Sequence, residues 1–387
     1  MAAVDTAPPP ERKPPMTRRK KIIRAIQILV SLGIVAGIFV GILPKIADYS
    51  AVWKTITSLT PLELGSLLLV TVLNILTYWP QMVASMPGLT FWQAGVNNQS
   101  STTIANTMPL GGALATGVSY TMYRSWGFRN SEIVLSALIT GVWNTFIKLA
   151  LPVIALAALI ATGQTTASLL IPTIIGIGVL GAAVVLFGMI LHSRALARRV
   201  GSRLGKVVSF VRKLLRKPPV DWSDAAVRFR HQTIELIAKR WAALSASTVV
   251  SHVCLYLVLL LALRHVGVAD HEISWAQVLG VFAFVRLISA LPLTPGGVGL
   301  VELGYIGALY TAGKNRTNVP LDVFKVQITA AVLLFRALTY GAQIPLGALT
   351  YVFWRAKKSW RKPVPHEPPE PQSAAAPGLE PVPRAST

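Results

Sequence analysis

Cysteine is almost absent from this 387-residue chain, and acidic residues are scarce. Cys254 is the single cysteine and lies inside an apolar stretch, so the chain can form neither an internal disulfide nor a thiolate metal site. The six histidines are dispersed along the sequence and give no support to a histidine-ligated metal. We therefore expect no redox chemistry and no bound metal.

Familiar catalytic motifs are missing as well. The sequence contains no His-Glu-x-x-His zinc motif, no Gly-x-Ser-x-Gly nucleophile motif and no phosphate-binding loop. Its apolar stretches also lack the paired aspartates of an intramembrane protease. We expect a protein that is not an enzyme and uses no cofactor. A lipid enzyme that acts through Glu302 is the less favoured alternative.

Apolar sequence is what the chain has in abundance. Hydrophobic residues make up 53% of it and charged residues only 13%, against roughly 25% charged residues in soluble domains. This composition predicts an integral membrane protein. The net charge of +22 would also suit nucleic acid, but the basic residues flank apolar runs, where they match anionic headgroups and set topology. We therefore expect membrane lipids and no nucleic acid as partners, and a homo-oligomer is compatible with this interpretation.

Six apolar runs predict full membrane spans, since about 20 apolar residues cross a bilayer. They lie at 22–43, 61–80, 133–161, 169–191, 241–263 and 322–354. The predicted organisation is a disordered basic tail at 1–21, a membrane domain at 22–355 with a basic loop at 192–240, and a disordered tail at 356–387. The positive-inside rule places both tails and the basic loop in the cytoplasm.

Two further stretches, 91–120 and 275–311, mix apolar residues with helix breakers. Because proline lacks an N–H group and glycine tolerates unusual backbone angles, each stretch predicts two helices joined by a turn. With both chain ends in the cytoplasm, these two hairpins would enter the membrane from opposite sides. The predicted fold is an all-α transmembrane bundle of about six full spans plus two oppositely oriented broken or re-entrant hairpins, arranged as an inverted repeat. In the alternative interpretation each hairpin is two short full spans, which gives ten crossings.

Three ionisable residues lie in apolar surroundings in or near the second hairpin: Arg286, Glu302 and Arg336. A charge at membrane depth costs at least about 2.5–3.5 kcal/mol, so these side chains should face the protein interior. One interpretation is a structural clamp in which Glu302 pairs with either arginine. Another is that an arginine and free N–H groups of the glycine-rich helix start at 296–299 bind a phosphate. The two are compatible, since Glu302 would neutralise one arginine and leave the other.

The predicted substrate-binding site joins both hairpins. Its residues in the second hairpin and the following span are Arg286, Pro292, Pro295, Gly296, Gly297, Gly299, Glu302 and Arg336. Its residues in the first hairpin are Asn106, Pro109, Gly111 and Gly112. For this second set the alternative is a tight helix–helix contact between small residues. Asn144 and Lys148, one turn apart, should also face the interior, and His252 is interpreted as a core histidine rather than a proton relay.

The run from Leu291 to Glu302 closely resembles the family of lysylphosphatidylglycerol synthase transmembrane regions, also called flippase-like domains. It carries that family's Pro-x-x-Pro-Gly-Gly-x-Gly-x-x-Glu signature, and the run from Asn106 to Gly112 is similar to its other Pro/Gly element. The resemblance covers roughly residues 20–355. It implies a polytopic inner-membrane protein, and in full-length members this region is associated with moving an aminoacylated phospholipid between leaflets.

The chain departs from this family pattern in two respects. It has Ala113, Leu114, Ala115 and Thr116 where many members have an acidic residue and an arginine. It also ends in a short tail where full-length members continue into a soluble aminoacyltransferase domain, so the resemblance does not support lysine transfer.

The function expected from the sequence is translocation of an anionic phospholipid or lipid-linked intermediate across a bacterial cytoplasmic membrane. One alternative is a non-transporting scaffold or regulatory partner of a cell-envelope lipid enzyme, with the basic 192–240 segment as its recruiting surface. Another is a carrier of small soluble anions.

Overall fold

The computed structural model describes residues 48–108, 111–164, 167–214, 222–289 and 294–363. All regular structure in these ranges is helical, which confirms the predicted all-α class. The predicted first span, Pro109, Pro292 and nearly all of both predicted tails lie outside the described residues.

The described helices include long helices and shorter ones, among them the hairpin helices. In the first half they are α1 Tyr49–Thr57, α2 Pro61–Ser85, α3 Phe91–Thr107, α4 Gly111–Ser125, α5 Asn130–Ala161, α6 Ala167–His192 and α7 Arg194–Leu214. In the second half they are α8 Ser223–His265, α9 Trp275–Ile288, a 3-10 turn at Pro295–Gly297, α10 Leu300–Gly313, α11 Leu321–Arg336, a π-helical turn at Ala337–Gly341 and α12 Gln343–Ala356.

Both hairpins begin with a capping box, which fixes where α3 and α9 start. At α3 the Gln93 N–H donates to the Thr90 hydroxyl at 3.3 Å, and the Gln93 side chain accepts the Thr90 N–H at 3.1 Å. Ser274 and Gln277 make the same pair of bonds at the start of α9, at 3.3 and 3.0 Å. Such reciprocal caps satisfy N–H groups that a helix start leaves unpaired. Local sequence thus fixes the first turn of each hairpin helix.

Three described helices, α2, α5 and α8, are long and apolar enough to cross a membrane. A fourth crossing is present if residues 176–192 of α6 are joined with α7, from which they are bent by 108°. The protein is therefore a multi-pass membrane protein, and the predicted spans at 61–80, 133–161 and 241–263 lie within α2, α5 and α8. The total of six spans and the inverted repeat stay predictions.

Two segments differ from the predicted architecture. In the basic segment at 192–240, predicted as a loop, the described residues lie mainly in α7 and in the first part of α8. The prediction weighed only its charges, although Leu204, Val207 and Phe210 recur at helical spacing. The predicted span at 322–354 is interrupted by the π-helical turn, where the Ala342 N–H donates to the Ala337 carbonyl at 2.8 Å. A π-helical turn leaves no mark in a hydropathy pattern, so the sequence did not indicate it.

The first hairpin packs against α12 through its own helix α3. Gly347 of α12 faces α3 so closely that a β-carbon there would overlap the Thr103 hydroxyl and the Gln99 carbonyl. The Thr103 hydroxyl donates to the carbonyls of Gln343 and Ile344, at 2.9 and 3.1 Å. Small residues and side-chain hydrogen bonds are the usual means of close helix approach in membranes. This contact holds α3 beside the site described below.

We expect Gly347→Ala to lower the free energy of unfolding by about 1–3 kcal/mol, because the added methyl overpacks the interface between α3 and α12. Thermal unfolding of the detergent-purified protein measures the effect. The matched control is Gly307→Ala in α10, where a β-carbon meets no atom within 4 Å. Equal melting temperatures for the two variants would contradict the close packing.

Candidate functional site

The second hairpin is broken where the sequence predicted. The described part of α9 ends at Ile288, and the chain then passes through the 3-10 turn before α10 begins. Gly296, Gly297 and Gly299 have φ angles of 57°, 72° and 88°, in the left-handed region that L side chains avoid. The glycines are therefore required by the path of the backbone between the two helices.

Glu302 forms a buried ion pair with Arg336. Its Oε1 atom accepts from Arg336 Nε at 2.6 Å, and the two side chains are 3% and 14% exposed. Its Oε2 atom accepts the Gly299 N–H at 2.6 Å. Glu302 thus caps the start of α10 and neutralises Arg336, as the clamp interpretation requires. Arg286 is not its partner.

Arg336 and Tyr340 connect the two hairpins. Arg336 Nη2 donates to the Gly296 carbonyl at 3.1 Å, and its guanidinium carbon lies 4.3 Å from the centre of the Tyr340 ring. The Tyr340 hydroxyl in turn donates to the Asn106 carbonyl at 2.7 Å. Because Tyr340 lies on the π-helical turn, this irregular turn joins the end of α3 to the glycine turn.

The predicted phosphate site at the start of α10 is wrong in one respect. The Gly299 N–H is bonded to Glu302, and the Gly297 N–H donates to the Thr294 carbonyl at 3.1 Å. These two groups are therefore not free for a ligand. At Gly299 the Glu302 carboxylate occupies the place at the helix start that an external anion would take.

A cavity of about 300 Å³ lies between the hairpins. Asn98, Thr102 and Asn106 line it from α3, and Arg286 and Gly296 line it from the second hairpin. Arg286 is half-buried in the last turn of α9, and its Nε has no hydrogen-bond partner among the described residues. A buried donor without a partner is costly, so a polar group that reached this atom would stabilise the site.

A second unsatisfied group, on Asn74 of α2, lines the same cavity. Its Nδ2 donates to the Ser251 carbonyl at 2.9 Å, whereas its buried Oδ1 has no hydrogen-bond partner among the described residues. Arg286 and Asn74 thus each place one buried, unsatisfied polar atom beside the cavity that they line.

The remaining predicted site residues divide between the cavity and the packing. Asn106 lines the cavity, but Gly111 and Gly112 are not among its lining residues. A β-carbon at Gly111 would overlap the Ala105 carbonyl, which fits the alternative of a small-residue contact, and one at Gly112 would meet no atom within 4 Å. Pro295 begins the 3-10 turn.

Further basic groups surround Arg286. Lys148 of α5 and His252 of α8 both lie near Arg286, within range of its charge. Lys148 is half-buried and His252 is 1% exposed, so both face inward as predicted. His252 Nδ1 donates to the Thr248 carbonyl at 3.0 Å, while its Nε2 is unpartnered within the described structure. Lys148 therefore brings a second formal positive charge near Arg286.

Several cavity residues were missed by the sequence interpretation, which concentrated on ionisable residues and helix breakers. They include Asn74, Tyr78, Tyr340 and Gln343. Asn74 and Gln343 carried a usable signal, because an amide inside an apolar span faces the interior more often than lipid. Tyr340 carried none, since its position depends on the π-helical turn.

Comparisons with known proteins identify a family for this chain. No curated protein shows a significant match to the chain. The family described as "Lysylphosphatidylglycerol synthase TM region" matches residues 25–347, a range that contains both hairpins, Glu302 and Arg336. As this match covers most of the sequence, the chain belongs to the family of lysylphosphatidylglycerol synthase transmembrane regions.

Proposed function

We propose that this protein moves a phospholipid, or a lipid-linked intermediate with an anionic phosphate, between the leaflets of a bacterial cytoplasmic membrane. The observation that carries the proposal is the position of Arg286, which lines the cavity between the two hairpins and whose buried Nε has no hydrogen-bond partner among the described residues. Both chain ends lie in the cytoplasm in this proposal, as the basic tails favour.

A lipid phosphate fits Arg286 on chemical grounds. A guanidinium donates in a fixed fork that matches phosphate oxygens, and such charge-assisted bonds are roughly twice as strong as neutral ones. Arg336 lies in the same cavity, but Glu302 already neutralises it. A monoanionic phosphate at Arg286 would complete the charge balance that Glu302 begins at Arg336.

The cavity itself supports a passage for headgroups rather than a sealed core. Uncharged polar residues of α2, α3 and α12, such as Asn74, Asn98 and Gln343, line it beside the glycine turn. Broken helices and polar groups at membrane depth occur where they line a ligand or water cavity. The sequence has no phosphate-binding loop, so net accumulation of the lipid would need ion coupling or removal of the product, whereas movement down its concentration gradient needs neither.

The test is a leaflet-exchange assay on protein reconstituted in liposomes that contain a fluorescent anionic phospholipid. Exchange is measured as the rate at which labelled lipid from the inner leaflet becomes accessible to an external quencher. We expect the wild-type protein to accelerate exchange over protein-free liposomes. Arg286→Gln should reduce the protein-dependent rate roughly 10- to 100-fold, since a hydrogen bond to a charged group contributes about 1.5–3 kcal/mol.

The matched control is Lys314→Gln, which removes one positive charge at an exposed position after α10. This variant should keep the wild-type rate, because Lys314 does not line the cavity. A wild-type protein that leaves exchange at the protein-free rate would favour the scaffold alternative. An Arg286→Gln variant as fast as the wild type would remove Arg286 from the lipid path.

A further inference from the structure

A second cavity of about 430 Å³ adjoins the first and shares two of its lining residues, Tyr78 and Asn98. It lies among α2, α3, α4 and α5, on the side of the first hairpin. Its polar lining includes Gln81, Ser101, Thr116, Ser119, Thr140 and Asn144. Unlike the first cavity, it has no formally charged side chain among its described lining residues.

Three hydroxyl groups of this lining can act as hydrogen-bond acceptors for a ligand. Those of Ser101, Thr116 and Thr140 each donate to a carbonyl of their own helix, at 3.1, 2.9 and 2.8 Å. A hydroxyl has one proton and two lone pairs, so a committed proton leaves the lone pairs for other donors. The wall therefore offers oxygen acceptors at several points, which suits a ligand part that carries hydroxyl groups.

The surroundings disfavour a cationic ligand part. Lys148 follows Asn144 by one turn of α5, and its charge interacts with that of Arg286 at the neighbouring cavity. A headgroup ammonium would approach these positive charges with no carboxylate among the described lining residues to balance it. Uncharged hydroxyl groups meet no such repulsion.

We propose that the second cavity binds the uncharged, hydroxyl-rich part of a lipid headgroup, such as a glycerol or a sugar, while the lipid phosphate lies at Arg286. This inference rests on the proposed function and specifies its substrate class. Lipids whose headgroup carries an added ammonium group are poor substrates in this arrangement.

Leaflet-exchange assays with a set of labelled lipids test the substrate class. Phosphatidylglycerol has a phosphate and two free hydroxyls, phosphatidylmethanol has the phosphate alone, and lysylphosphatidylglycerol adds positive charge. We expect wild-type protein to move phosphatidylglycerol about 3- to 10-fold faster than phosphatidylmethanol, and lysylphosphatidylglycerol slowest. Equal or faster movement of lysylphosphatidylglycerol would overturn this inference and leave the translocase proposal standing. Movement of none of the three would overturn this inference together with the proposal that the protein moves a phospholipid.

A competition arm separates a lipid headgroup from a soluble polyol phosphate with the same chemistry. Glycerol 3-phosphate on both sides of the liposome should leave phosphatidylglycerol exchange unchanged at millimolar concentration. Uptake of labelled glycerol 3-phosphate by the liposomes, with no lipid exchange, would assign the two cavities to a soluble ligand and overturn the lipid proposal.

Single-residue variants test the wall of the second cavity. Thr116→Val and Thr140→Val each remove one acceptor without changing side-chain volume much, and should lower the ratio of phosphatidylglycerol to phosphatidylmethanol rates about 3-fold or more. Thr145→Val is the matched control, because the exposed Thr145 hydroxyl makes the same bond to its own helix, at 2.8 Å, but lines neither cavity. The ratio is internal to each variant and so is insensitive to the folded amount. Unchanged ratios in both lining variants would overturn the proposal.

Discussion

Replacing Arg336 with alanine is expected to lower the free energy of unfolding by about 3–5 kcal/mol. The variant leaves Glu302 as a buried carboxylate, 3% exposed, with the Gly299 N–H as its remaining partner among the described contacts. It also removes the bond to the Gly296 carbonyl and the stacking on Tyr340. Denaturant or thermal unfolding of the purified protein in detergent measures the loss.

Two comparison variants show whether the loss comes from the unpaired carboxylate. Combining Arg336→Ala with Glu302→Gln should recover part of the stability, because the buried negative charge is gone. Arg286→Gln removes an arginine that has no ion-pair partner among the described residues, and should change stability much less. If Arg336→Ala and Arg286→Gln had the same melting temperature, the ion pair would not be the structural clamp described here.

This result changes which variants serve as transport probes. The sequence alone placed Glu302 and Arg336 in the predicted substrate-binding site, where their substitution would be a test of transport. The short ion pair instead makes both residues part of the hairpin's own structure. Arg286 lines the cavity without such a partner, so Arg286→Gln is the variant that tests the proposed transport with the smaller expected effect on folding.

Gly296→Ala is expected to have the second-largest effect. Gly296 has a φ angle of 57°, and a β-carbon there would overlap the Tyr340 ring. The left-handed conformation costs an L residue about 1–2 kcal/mol, and the overlap adds about 1–3 kcal/mol by overpacking. We also expect slower lipid exchange, because displacing Tyr340 breaks its bond to the Asn106 carbonyl. Unfolding and leaflet exchange are measured on the same preparation.

Gly112→Ala is the control for this prediction, since a β-carbon at Gly112 meets no atom within 4 Å and the residue lies in a helix. Alanine there should be neutral or slightly stabilising. Adding Tyr340→Ala to Gly296→Ala should relieve the overlap and leave only the cost of the left-handed backbone conformation at residue 296. A Gly296→Ala variant as stable as the wild type would mean that the turn accommodates a side chain, against the geometry seen here.

The position of the break in the second hairpin could be predicted from sequence, because proline and glycine act on the backbone locally. The same holds for the inward orientation of Glu302, since a charge in an apolar run has few other places to go. The choice of its partner could not be predicted. Arg286 lies 16 residues before Glu302 and Arg336 lies 34 residues after it, and only the packing of α11 against α10 decides between them.

The second cavity shows a different limit of sequence interpretation. Its lining comes from four helices, and each contributes serine, threonine or amide side chains that look unremarkable within their own segment. Helical serines and threonines commonly bond to their own backbone, so a single one indicates no site. The chemistry appears only when residues such as Ser101 and Thr140, far apart in sequence, are brought to one wall.

The unpaired guanidinium of Arg286 also affects how a membrane voltage acts on the proposed lipid movement. An empty cavity carries the positive charge of Arg286, whereas a cavity that holds a monoanionic phosphate is neutral at that position. One elementary charge that crosses the whole membrane field gains or loses about 2.3 kcal/mol per 100 mV. A phosphate that passes Arg286 while the protein stays in place carries its own charge through this field, so the net flux of an anionic lipid should depend on membrane potential although the lipid–arginine pair is uncharged.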